Sequence, residues 1–132
     1  MKLRTVSDLH IDINSDHPHR FDWADKDMLT IIAGDTAGSL ADAAPFIREH
    51  FNNAILIGGN HIVYNYEHKT IQRLHEDYKA EFPLDAPIAY LENAYKIIDD
   101  IVFIGATLWT DYAYIIIFPL SRSTIVGNKV LI

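Results

Sequence analysis

The chain has 132 residues, 49% of them apolar and 22% charged, values of a single globular domain with a core rather than of a disordered chain. Its 18 Asp and Glu outnumber 11 Lys and Arg, which argues against broad capture of nucleic acid, since that needs a basic face to displace phosphate counterions. Cysteine is absent, so disulfides and thiolate metal sites are excluded.

The opening MKLRTVSDLH carries charge where a signal peptide needs an apolar run. The longest apolar stretch, residues 113–120, is interrupted by Pro119 and is too short to span a bilayer. A soluble, cytoplasmic protein is therefore expected, with no membrane partner. Charge is uneven along the chain. All 18 acidic residues lie at or before Asp111, whereas residues 112–132 carry only Arg122 and Lys129. The expected division is a domain over residues 1–111 and an atypical tail over 112–132.

In chain order, residues 2–7 read as a short strand, followed by the polar loop NSDHPHR, in which Pro18 forbids regular structure. Residues 28–33 (MLTIIA) read as a buried strand ending at Gly34. Residues 42–51 read as a helix with Asp42 as N-cap, Pro45 in the first turn, and Ile47 and Phe51 on the buried face. Ala54–Ile57 is the next strand, closed by Gly58 and Gly59. Residues 67–82 form the best helix, with Ile71, Leu74, Tyr78 and Phe82 at three- and four-residue steps before Pro83. Residues 96–98 and 101–104 flank Asp99 and Asp100 in a hairpin pattern. The alternation predicts an α/β fold with a mixed sheet.

A polar cluster follows each early strand: Asp8 and His10 in DLH, Asp35 in GD, and Asn60 and His61 in GNH. In a parallel α/β sheet the carboxyl ends of the strands line the ligand crevice, so three segments would deliver these side chains to one rim. Oxygen and imidazole donors suit manganese, iron or zinc. Asp8 and His10, two apart, would point the same way from an extended backbone. Asp35 follows a glycine, where its carboxylate can reach two cations. Gly58 and Gly59 allow the sharp turn that would project Asn60 and His61 into the rim. DxH and GD are weak signals singly; the ordered set, each member just after an apolar strand, is strong.

This ordered set, with GATLWTD at residues 105–111, resembles the calcineurin-like metallophosphoesterase family over about residues 2–111. The resemblance implies the N-terminal half of an α/β/β/α sandwich. It implies a phosphatase or phosphodiesterase using two divalent ions (Mn, Fe or Zn) that share a hydroxide, with a phosphate ester as substrate. Asp8 and His10 would be ligands of the first ion, Asp35 the bridging carboxylate, and Asn60 a ligand of the second ion within reach of the substrate. His61 would be catalytic, steadying the phosphate and helping to protonate the leaving oxygen.

Two departures from the family pattern bear on activity. Ile62 stands where the family often has an acidic residue, and His75 is the last histidine, so a further family histidine and the Gly-His-x-His motif have no counterpart. A truncated chain with an out-of-frame or unrelated ending is therefore expected, its activity impaired. The alternative is a non-catalytic remnant that binds metal or a partner. Bland roles are expected elsewhere: a polar loop at His17 and His19, surface positions for His50 and His68, solvent for His75, and packing anchors at Trp23 and Trp109.

Overall fold

A computed structural model describes residues 2–13, 23–64 and 68–108. The early apolar runs become β1 (Leu3–Val6), β2 (Leu29–Ala33) and β3 (Ala54–Ile57). Helix α1 (Leu40–His50) returns the chain between β2 and β3, and α2 (His68–Glu81) returns it between β3 and β4 (Ile88–Tyr90). With a helix in each of these two connections the strands run the same way, and all four form one parallel sheet in the order β1-β2-β3-β4. Its register aligns Val6 with Ile32, Ile32 with Leu56, and Leu56 with Tyr90.

Strand alternation sends Val6, Ile32, Ala54, Leu56 and Tyr90 to the face that packs on α1 and α2 through Ala43, Ile47, Phe51, Tyr78 and Phe82. The opposite face, with Leu29 and Ile55, meets Leu91 and Phe103 of the segment that follows β4. That segment is a hairpin, β5 (Ala94–Ile98) and β6 (Ile101–Gly105), turned by Asp99 and Asp100 with φ of 48° and 64°. Three layers result: helices, parallel sheet, hairpin. Cover on both faces explains why β2 and β3 read as largely apolar runs without a polar–apolar alternation. Each large side chain so buried, such as Phe51, Phe82 or Tyr90, contributes about 1.5–3 kcal/mol relative to exposure.

The structure corrects several expectations. The mixed sheet is in fact two sheets, a parallel one of four strands and an antiparallel one of two, because the chain turns at Asn93 (φ 52°) and lays β5 beneath the parallel sheet instead of beside it. Strand β4 was too short to show a period, yet Tyr90 and Leu91 are among the most buried residues. Helix α1 begins before Asp42: Ser39 is the N-cap, its Oγ accepting the Asp42 N–H at 3.2 Å and donating to Asp42 Oδ2 at 2.6 Å. Pro45 consequently lies in the second turn, where it forgoes a helical hydrogen bond.

His75 is another correction. Expected in solvent, it is half-buried and stacks on Tyr90, with Nδ1 2.7 Å from the Tyr90 hydroxyl. Burial, reinforced by the charge of Glu92, pushes the Tyr90 phenol up, so the hydroxyl stays protonated. Lys96 ties the hairpin to the loop after α2 by donating to Leu84 O at 2.8 Å and Ala86 O at 2.5 Å. Burial lowers its ammonium pKa despite the opposing pull of Asp85. Thr107, in the GATLWTD phrase, donates from N and Oγ1 to Glu92 Oε2 at 3.0 and 2.9 Å. Trp109, His17, His19 and residues 112–132 lie outside the described residues. Among those described, no helix is long and apolar enough to cross a membrane.

Candidate metal centre

The parallel sheet brings the ends of β1, β2 and β3 to the same edge, and backbone hydrogen bonds extend the pairing into their loops. Asp8 N–H donates to Gly34 O at 3.2 Å, His10 N–H to Asp35 O at 3.0 Å, and Asp35 N–H to Gly58 O at 3.1 Å. Two glycines allow this close approach. A Cβ on Gly34 (φ 102°) would stand 3.1 Å from Gly59 Cα, and one on Gly59 (φ 75°) would collide with Asp35 Oδ1.

Asp8, His10 and Asp35 adopt φ of 55°, 44° and 56°, left-handed values unusual for residues with a side chain. Such conformations cost about 1–3 kcal/mol each and persist where surrounding contacts enforce them. The expected extended backbone at Asp8 and His10 is thus replaced by a left-handed turn. Between them Leu9 is completely buried, which anchors the turn in the core. The outcome is the one anticipated by a different route: a donor atom from each of Asp8, His10 and Asp35 lies within 4.8 Å of the others. His10 Nε2 is 3.9 Å from Asp8 Oδ1, and His10 Nδ1 is buried without a hydrogen-bond partner among the described residues.

A single 3-10 turn, His61–Val63, carries the third segment. Ile62 and Val63 are buried and plug this turn into the core, which holds Asn60 and His61 at the rim. This also accounts for Ile62: a carboxylate there would be buried. The His61 N–H donates to Asp35 Oδ1 at 2.8 Å, and its ring meets that of His10 edge-on with centroids 4.6 Å apart. Asn60 is the N-terminal neighbour of His61; its Nδ2 donates to the Tyr64 hydroxyl at 2.5 Å.

Two participants were not singled out in the sequence. Asp12 Oδ2 accepts from the Gly38 N–H at 3.0 Å and contacts His61 Nε2 at 3.1 Å, so His10, Asp12 and His61 form a second group of donors within 4.8 Å. The signal was present as an extension of DxH to DLHID. Partial burial acts to raise the Asp12 carboxyl, but the hydrogen bonds from Gly38 and His61, with the charge of His61, outweigh it and hold the pKa below the ordinary value. Tyr64 is the other; no spacing rule pointed to it.

The remaining histidine and tryptophan expectations fare simply. His50 closes the last turn of α1, its Nδ1 2.9 Å from Phe46 O and its ring stacked on Phe46. Trp23 anchors the same cluster, edge-on to Phe46 and Phe51. A cavity of about 610 Å³ opens at the other end of the sheet, lined by Asp25, Asp27, Asn53, Asp85 and Lys96 among others, far from the left-handed turns. The rim itself has the donor set that hard and borderline divalent ions take: carboxylate and imidazole, with one ring nitrogen unpartnered. No protein-family model, curated protein or solved structure matches this chain.

Proposed function

We propose that the chain is a metal-dependent phosphoric ester hydrolase of the calcineurin-like metallophosphoesterase type, acting in the cytoplasm. The observation that carries this reading is the convergence of Asp8, His10 and Asp35, from two strand ends, beside His61 from a third. The layering supports it as well. Helices, a parallel sheet and a second sheet started on its far face are what the first half of an α/β/β/α sandwich would supply.

Divalent manganese, iron or zinc would supply positive charge for the phosphoryl oxygens and make an attacking water acidic. Asp8, His10 and Asp35 would hold one ion. Asp35 would also face the second, together with the amide oxygen of Asn60. His61 lies outside that ligand set, and its role would be to steady the phosphate and deliver a proton to the leaving oxygen. The left-handed backbone at Asp8, His10 and Asp35 fixes the donors before any ligand arrives, which limits the reorganisation that binding requires.

Hydrolysis of an aryl phosphate or phosphodiester with added manganese tests this. Turnover is expected from the full chain and not from Asp35→Ala, while His61→Ala lowers kcat by about 10²–10⁴. Turnover no higher than that of Asp35→Ala overturns catalysis by this chain.

A second reading, metal or partner binding without turnover, is favoured by the donor count. Among the described residues the ligands that the family pattern assigns to the second ion would be Asp35 and Asn60, and His75 is committed to Tyr90. It gives manganese binding that depends on Asp8 and Asp35, with no hydrolysis.

A further inference from the structure

The β5–β6 hairpin is apolar on both faces, and one of them packs on the parallel sheet. Alternation turns Ala94, Ile98, Ile101 and Phe103 toward that sheet. On the other face Tyr95 stands opposite Ile104 and Ile97 opposite Val102. These four side chains are 42–64% exposed, and a cleft of about 300 Å³ opens among Asn93, Ala94, Tyr95, Val102 and Ile104. An antiparallel sheet that keeps one face in water places polar residues there. No outward position within these two strands is polar, which is the pattern of a face that something covers.

We propose that residues 112–118 of the same chain dock on this face and close it from water. Their sequence, YAYIIIF, is wholly apolar or aromatic, and its aromatic and β-branched types suit packing on a pleated apolar surface. Charge favours the contact. All 18 acidic residues precede residue 112, and two of them, Asp99 and Asp100, stand exposed at the hairpin turn, whereas residues 112–132 carry only Arg122 and Lys129. The connection is also short. Six residues separate Gly105, the end of β6, from residue 112, and their extended reach of about 20 Å exceeds the length of a five-residue strand. So brief a tether gives an effective concentration in the millimolar range, and a contact too weak to join separate molecules then holds within one chain.

A second copy of the chain fits the face less well. The four side chains expose on the order of 400 Å², about half of the roughly 800 Å² per partner that a stable dimer interface takes. The proposal stands independently of the phosphoesterase reading, since it concerns neither the strand-end rim nor any ligand of it.

Methyl NOE spectroscopy of the carbon-13-labelled full chain tests it, in a sample shown by light scattering to be monomeric. Cross-peaks are expected between the methyl groups of Ile115, Ile116 or Ile117 and those of Ile97, Val102 or Ile104. Their absence overturns the proposal. So do cross-peaks that appear only between labelled and unlabelled chains in a mixed sample, because a second copy is then the cover. The double variant Ile97→Asp, Ile104→Asp should lose these contacts while the methyl signals of Ile32 and Leu56 in the parallel-sheet core stay in place. The converse double variant, Ile115→Asp with Ile117→Asp, alters only the docking segment. It should bare the hairpin face and raise the emission of an added hydrophobic dye, anilinonaphthalene sulfonate, severalfold over wild type. Emission equal to that of wild type contradicts docking by this segment.

Discussion

Asp12 accepts two hydrogen bonds through one oxygen, and both the Gly38 N–H and His61 favour its charged form. Its pKa in the folded chain therefore lies below 3.8, the ordinary value that it would regain on unfolding. A carboxylate depressed in this way stabilises the fold above its unfolded pKa, and the stabilisation disappears as pH falls through the folded value. Asp12→Ala is expected to lose about 1–3 kcal/mol at neutral pH, in the range for hydrogen bonds to a charged group. Thermal unfolding at a series of pH values checks this. The gap between variant and wild type should close below pH 3.8, whereas a constant gap down to strong acid would refute the assignment. Asp8, His10, Asp35 and His61 were legible at this scale because each follows an apolar strand by only a few residues. His75 was not, since its neighbour Tyr90 comes from a strand with no periodic signature.

At the scale of elements, the loops matter more than the strands they join. Gly59 sits against Asp35 with φ of 75°, a conformation that other residues rarely adopt and a clearance that only glycine provides. Gly59→Ala should destabilise the chain by about 1–3 kcal/mol and displace Asp35. Manganese binding, measured calorimetrically, should fall more than stability does; unchanged affinity would show that Asp35 is not held by this contact. The hairpin turn offers the converse change. Asp99 and Asp100 both adopt positive φ, as a two-residue type I′ turn requires, and Asn-Gly suits that turn better. The double substitution Asp99→Asn, Asp100→Gly should raise stability by about 0.5–1 kcal/mol in chemical denaturation, without affecting metal affinity. The hairpin was legible from this pair of residues, but its packing beneath the parallel sheet was not, because Leu91 and Phe103 find their partners only in three dimensions. The start of α1 was misplaced for a local reason: Ser39 and Asp42 are both good caps three residues apart, and only the reciprocal hydrogen bonds decide which one closes the helix.

For the whole molecule, the parallel sheet is what turns three short polar phrases into a neighbourhood. DLH, GD and GNH are separated by tens of residues, yet a single strand direction places them at one edge. If that edge binds divalent ions only in the folded state, manganese at about a hundred times its dissociation constant should add roughly 2.7 kcal/mol of stability. The increase should be absent in Asp35→Ala. An equal increase in both chains would point to non-specific binding by a chain with 18 acidic residues.

Location is the decisive property, and paramagnetic broadening measures it. Substoichiometric manganese added to nitrogen-15-labelled full chain should broaden the amide signals of Asp8, His10, Asp35 and His61 before any others. First broadening at Asp25, Asp27 and Asp85, around the cavity at the far end of the sheet, or uniform broadening throughout, would contradict a metal centre at the strand ends.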